Sequence, residues 1–207
     1  GALPTNNFGE PMFDERDGIT GELMQETILI SRDTCQVCPI ECKNVVEFGD
    51  ERDQFADNPY LRSDLLDKIK IDKAYGGPEY ETLGSFGSAC GVDDLVAVAK
   101  ANEYSARWGM DSISLGMTIA FVMECVDNDL LTKEETGCLS GWGDAAGMLK
   151  AIELIAHGEG FGVEMGQGSK RIAAAIGPEA EQYLVEVKGQ ELPMHEPRAK
   201  MALGVGY

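Results

Sequence analysis

Apolar residues recur along this chain at helical spacing far more often than they alternate. The clearest run follows Asp93 and Asp94, both good helix N-caps. It passes through Leu95, Val98, Ala99 and Ala106 and stops at Gly109. The period resumes at Ser112 and holds to about Asp129. Nearly every position there is apolar, so this second helix is expected to be buried on all sides. A third helix opens near Gly143-Asp144 and turns Met148, Leu149, Ile152, Leu154 and Ile155 inward. A fourth is predicted over 163–176, ended by Gly177-Pro178. Upstream, a helix is predicted over 22–30. Leu61, Leu65, Leu66 and Ile69 fall at helix spacing within 59–71, before Gly76-Gly77-Pro78 breaks the chain. Residues 1–20 are rich in Gly, Pro and Asn and show no period, and 184–187 reads as a short strand or an extended linker. There is no internal repeat. The pattern predicts an all-α, multihelical fold, with irregular loops at the N-terminus and around a cysteine cluster.

The charge balance narrows the partners. With 36 acidic against 17 basic residues in 207, the formal net charge is −19. No basic stripe is present to neutralise phosphates, which argues against nucleic acid and against an anionic membrane surface. The longest apolar stretch, 113–126, contains Ser114, Gly116, Thr118 and Glu124 and is too short to span a bilayer. Gly1 to Phe8 has neither the basic start nor the apolar run of a secretory signal. A soluble, cytoplasmic protein is expected.

Three of the six cysteines crowd into one short segment, Cys35-Gln-Val-Cys38-Pro-Ile-Glu-Cys42. Thiolates two and three residues apart on an irregular loop suit one face of an iron–sulfur cluster, with a fourth ligand arriving from elsewhere. Structural zinc is a rival, but it needs four closed ligands. Cys90, Cys125 or Cys138 would supply one only if the fold brings it near. A C-x2-C redox pair is a third reading, without the βαβ pattern that usually surrounds one. Three thiols without a ligand are the plain alternative.

The same segment closely resembles the cluster loop of the aldehyde ferredoxin oxidoreductase family. Further segments resemble that family in the same order: Leu3-Pro-Thr-Asn-Asn-Phe8, Gly77-Pro-Glu-Tyr-Glu-Thr82, Gly91-Val-Asp-Asp-Leu95, Ala99-Lys-Ala-Asn-Glu103, Trp108-Gly-Met-Asp-Ser-Ile-Ser114, Thr118-Ile-Ala-Phe121, Trp142-Gly-Asp144, Lys188-Gly-Gln-Glu-Leu-Pro193 and Glu196-Pro-Arg198. The resemblance implies a tungsten (or molybdenum) bis-pterin enzyme with a [4Fe–4S] cluster. Such an enzyme oxidises aldehydes to carboxylates and passes electrons to ferredoxin or a similar carrier; a homodimer is compatible with it. It also implies an internal piece of the enzyme's helical C-terminal region, expected to be inactive alone and to lack these cofactors. Residues 1–188 would be a helical domain carrying the cysteine cluster and the first pterin-binding segment, and 189–207 the truncated start of the next helical domain. Related readings are an aromatic acyl-CoA reductase subunit on the same scaffold and a non-catalytic iron–sulfur electron-transfer subunit. The acid-rich stretch 47–73 looks like an insertion relative to shorter members.

Carried over residue by residue, the resemblance makes Cys35, Cys38 and Cys42 cluster ligands. It makes Glu81 a carboxylate near the metal centre, able to exchange a proton during oxygen insertion. Gly109 and Asp111 match the end of the family's Asp-x-x-Gly-Leu-Asp pterin pattern, with Gly permitting close approach and Asp111 accepting from pterin N–H groups. Ala106 stands where the family has Asp, and Met110 where it has Leu. The plainer reading of Glu81 is a capping or salt-bridged carboxylate, and that of Asp111 an N-cap. Lys100 stands where some members have an iron-binding Glu, so no such iron site is expected. His195 reads as a loop residue and His157 as a helix end. Residues 162–170 superficially suggest a phosphate loop, but the order is Gly-Ser-Lys and no strand precedes it. Met110, Met117 and Met123 read as core filling.

Overall fold

The structure is a computed structural model that describes residues 3–49, 58, 60–61 and 69–207. Among these the chain is multihelical, as the pattern predicts. Helix α1 covers Gly21–Glu26. The hairpin strands β1 and β2 are Leu29–Asp33 and Lys43–Val46. Helix α2, Tyr80–Thr82, runs on into a wide π turn at Leu83–Gly87. Then come α3 (Leu95–Trp108), α4 (Ser112–Asp127), α5 (Lys133–Thr136), α6 (Ala145–His157), α7 (Gly162–Met165), α8 (Ser169–Ile176) and α9 (Pro178–Glu181). A two-residue hairpin, β3 (Glu186–Val187) with β4 (Gln190–Glu191), and α10 (Met201–Gly206) complete the order. No helix among the described residues is long and apolar enough to cross a membrane.

The long helices begin and end where their punctuation puts them. Asp94 caps α3 by accepting from the N–H groups of Val96 (2.9 Å) and Ala97 (3.0 Å). Gly109 ends it in the left-handed conformation, φ 67°. Asp111 caps α4, whose Ile119, Ala120, Val122, Met123 and Cys125 are wholly buried, so this helix threads the main core. Gly116 lets it do so, because a Cβ there would lie 2.8 Å from the Ser85 carbonyl carbon of the π turn. Asp144 caps α6, which buries Met148 and Ile152 and leaves Leu149, Leu154 and Ile155 half-buried. Met117 and Met123 fill the core, and His157 closes α6 beside the edge of Trp108.

Two expectations need correction. The helix predicted over 163–176 is two helices, α7 and α8, because Gly168 adopts φ 88° between them and breaks the run. The helix predicted over 22–30 ends at Glu26. Ile28 is wholly buried in a second core cluster with Val46 and Phe48, and the chain continues as β1. Residues 62–68, and with them Leu65 and Leu66, lie outside the described residues; Leu61 and Ile69 are buried in that second cluster. The residues after 188 are held to those before. Met194 is wholly buried, and Arg198 donates to the carbonyls of Phe8 (2.8 Å) and Gly9 (3.3 Å).

Candidate active site

The cysteine segment is the turn of the β1–β2 hairpin, between Asp33 and Lys43, which pair across it. Its shape is set from inside. The Asp33 carboxylate accepts the Thr34 N–H at 2.7 Å, and the Thr34 hydroxyl donates to the Cys38 carbonyl at 2.6 Å. The Cys38 N–H reaches the Cys35 carbonyl, and the Cys42 N–H that of Ile40, both at 3.0 Å. Cys35 and Cys42 are exposed and Cys38 is half-buried, and all three are free thiols. Among the described residues no three His, Cys, Asp or Glu side chains meet closely enough to hold a metal ion.

The other three thiols cannot join them. Cys90 donates to the Ser85 and Gly116 carbonyls inside the core, and burial pushes its pKa far up. Burial, reinforced by Glu124, raises Cys125 to about 12; burial, with Asp144, raises Cys138 to about 11. These are inert core residues rather than ligands.

A cavity of about 620 Å³ opens at the base of the cysteine turn. Asp33, Lys43 and Asn44 form the hairpin wall, Glu81 and Thr82 the α2 wall, and Ala106 and Ser112 the wall made by α3 and α4. The last two walls are tied together: the Thr82 and Ser112 hydroxyls lie 3.2 Å apart, and the Ser85 hydroxyl donates to the Ser112 carbonyl at 3.0 Å. Asn44 fixes the hairpin to the segment before α2 by donating to the Pro78 carbonyl at 2.6 Å.

Glu81 faces this cavity and is held from behind. Its Oε2 accepts the Met194 N–H at 2.7 Å, and its Oε1 lies 3.0 Å from His195 Nε2. Tyr80 stacks on the His195 ring, centroids 5.5 Å apart, and donates its hydroxyl to the Met194 carbonyl at 2.7 Å. The Tyr207 hydroxyl donates to the His195 carbonyl at 3.1 Å. Burial raises the pKa of both phenols, and the negative charge of Glu81 adds to it. Glu81 is thus paired with His195, which lies on a loop as its sequence reads.

Gly109 and Asp111 form the turn between α3 and α4, just outside the lining of the cavity. Gly109 takes φ 67°, a conformation that favours glycine, and a Cβ there would meet no protein atom within 4 Å. The Asp111 carboxylate accepts from Ile113 (3.4 Å) and Ser114 (2.9 Å) N–H groups, which is the N-cap role.

The family model for aldehyde ferredoxin oxidoreductase, domains 2 and 3, matches residues 1–207. The chain belongs to the aldehyde ferredoxin oxidoreductase family. It is 31% identical over 210 residues to the tungsten-containing aldehyde ferredoxin oxidoreductase of Thermococcus kodakarensis, covering 100% of this chain and 31% of that protein. It is 33% identical over 211 residues to the Pyrococcus abyssi enzyme of the same name, again across 100% of this chain and 31% of the relative. A WOR-like subunit of an aliphatic sulfonate oxidoreductase from Pyrococcus furiosus is 29% identical over 128 residues, 60% of this chain and 20% of that subunit. The chain thus spans under a third of the relatives it matches. Among solved structures, the active-site complex of a benzoyl coenzyme A reductase with 1,5-dienoyl-CoA superposes with a TM-score of 0.63 at 17% identity, over 92% of this chain and 26% of that one. That likeness speaks to the multihelical fold alone.

Proposed function

We propose that this chain supplies the cluster loop and one wall of the cofactor cavity in a tungsten (or molybdenum) bis-pterin oxidoreductase that oxidises aldehydes to carboxylates and passes electrons to ferredoxin or a similar carrier. The observation that carries this reading is the cavity itself: one wall is the base of the Cys35–Cys42 turn and another bears Glu81.

The residues fit the groups that the family implies. Cys35, Cys38 and Cys42 are soft donors on one turn and would supply three thiolates to a [4Fe–4S] cluster. A fourth must come from outside the described residues, because Cys90, Cys125 and Cys138 are locked in the core. The cavity suits a polar heterocycle. Asn44, Asn102 and Ser112 offer donors and acceptors, and Ala106 and Gly76 keep the walls low. Gly109 and Asp111 act here by setting the turn that brings Ser112 to the cavity. When bound, the metal–pterin centre would supply a two-electron acceptor and the cluster one-electron transfer. Glu81, held by Met194 and His195, takes a proton from the hydrated aldehyde. The isolated chain is inactive on this reading.

The test is metal and acid-labile sulfide analysis of the anaerobically purified whole enzyme containing these residues, with aldehyde-dependent reduction of a viologen dye. Iron, sulfide and tungsten or molybdenum are expected, with iron and sulfide falling in Cys35→Ser, Cys38→Ser and Cys42→Ser. Zinc at one per chain without sulfide would overturn the reading. Ala106 offers the cavity no polar group, and that favours the one rival, an electron-transfer subunit that keeps the cluster without pterin; it predicts iron and sulfide but neither tungsten nor molybdenum.

A further inference from the structure

Glu81 lines the first cavity, and its partner His195 lines a second, of about 570 Å³, together with Tyr80. Ile19 and Leu83 form its apolar wall, and Arg16, Glu22 and Lys200 its charged one. The Glu81 Oε1–His195 Nε2 contact, at 3.0 Å, links a side chain of the first cavity to one of the second. The His195 side chain is 42% exposed, so part of the ring meets water. Tyr80 fixes the ring plane and Tyr207 the backbone beneath it. Around the pair the facing titratable and charged groups are Tyr80, Tyr207, Glu196, Arg16, Glu22 and Lys200, and Arg198 already satisfies Glu196 at 2.7 Å.

We propose that the Glu81–His195 pair is the route by which protons released in the first cavity leave through the second. This rests on reading the first cavity as the site of aldehyde oxidation. Aldehyde and water become carboxylate with loss of two electrons, which go to the electron carrier, and of three protons. Glu81 accepts one proton as the oxygen–hydrogen bond of the hydrate breaks. With the ring in the tautomer that carries its hydrogen on Nδ1, the protonated Glu81 carboxyl donates to the bare Nε2, the proton passes across, and the proton on Nδ1 leaves to water in the second cavity. One proton enters the pair and one departs; Glu81 returns to carboxylate, and the ring regains its starting tautomer by exchange with solvent. His195 touches no reacting atom and acts through Glu81.

Two experiments test this. In the chain labelled with ¹⁵N-histidine there are two imidazoles, His157 and His195, and His195→Gln assigns them. Glu81→Gln is expected to move the ring nitrogen signals of His195 and leave those of His157 in place. If the His195 signals stay still, the pair does not exist and the proposal fails, whatever the enzyme does. In the whole cofactor-loaded enzyme, His195→Gln keeps an amide beside Glu81 whose oxygen can accept from the protonated carboxyl, but it cannot take up a proton and pass one on. Its kcat is expected to fall roughly a hundredfold, the low end of what a positioned proton-transfer group supplies, with KM little changed. Added imidazole should restore part of the rate to His195→Ala. A wild-type kcat in His195→Gln would leave only a positioning role and overturn the route. Absence of aldehyde turnover in the wild type would instead overturn the function on which the route rests.

Discussion

Gly84 is the position at which the fold and the site are most tightly coupled. It lies in the π turn after α2, and a Cβ placed there would sit 2.6 Å from Met194 Cγ and 2.7 Å from its Cβ. Those atoms adjoin the Met194 backbone, so a rotamer change cannot clear them; the 193–195 segment must retreat by close to an ångström. The Met194 N–H bonds Glu81 Oε2 at 2.7 Å, and the same retreat takes that bond beyond useful length. Gly84→Ala therefore overpacks a wholly buried site, at about 1–3 kcal/mol. It also loses one hydrogen bond to a partly exposed carboxylate, about 1 kcal/mol after screening. A net destabilisation of about 2–4 kcal/mol is expected, which moves the urea midpoint down by roughly 1–2 M for a slope of about 2–3 kcal/mol per M. Gly21→Ala is the control: nothing lies within 4 Å of its Cβ position, in the first turn of α1, so its midpoint should hold or rise. If the Gly84→Ala midpoint stays within about 0.2 M of wild type, the docking of 193–195 on α2 is wrong, and with it the geometry behind Glu81.

Two further outcomes can be checked on the chain itself. A thiol reagent at mildly alkaline pH should titrate three of the six cysteines quickly, the exposed or half-exposed Cys35, Cys38 and Cys42. The remaining three should react only in guanidinium, because burial both shields them and disfavours their thiolates; fast reaction of a fourth would refute the core placement. Glu124 has its pKa raised above the ordinary 4.5, first by desolvation, although Asn7 donates to it at 2.6 Å. A carboxyl raised in the folded state favours folding while protonated, so its contribution is full below 4.5 and is lost as pH rises through the folded value. Glu124→Gln removes that loss. Scanning calorimetry should find the variant more stable than wild type near neutral pH, with the advantage gone near pH 3; an advantage of equal size at both would contradict the buried-carboxylate account.

How much of this was legible beforehand follows from where each signal is written. Helices α3 and α4 are bounded by Asp94, Gly109 and Asp111, residues whose side chains or φ angles make the boundary themselves, and the sequence pattern places both. The hairpin was missed because β1 has exposed residues on both faces, so it shows no alternation. The apolar run Ile28-Leu29-Ile30 then reads as more of α1. The break between α7 and α8 was written in Gly166-Gln-Gly168 but overridden by apolar periodicity on either side. The cysteine turn is local, so its spacing alone pointed to soft-metal chemistry.

The partner of Glu81 could not have been found in this way. His195 sits between two prolines, with no helix period or motif to mark it, and the contact joins segments far apart in the chain. What encodes the contact is distributed: Tyr80 to hold the Met194 carbonyl, Tyr207 to hold that of His195, and no side chain at Gly84, where Met194 must lie. A missing Cβ carries no periodicity and no charge. It becomes a signal only once its neighbour is known, so this pair had to wait for coordinates while the cysteines did not.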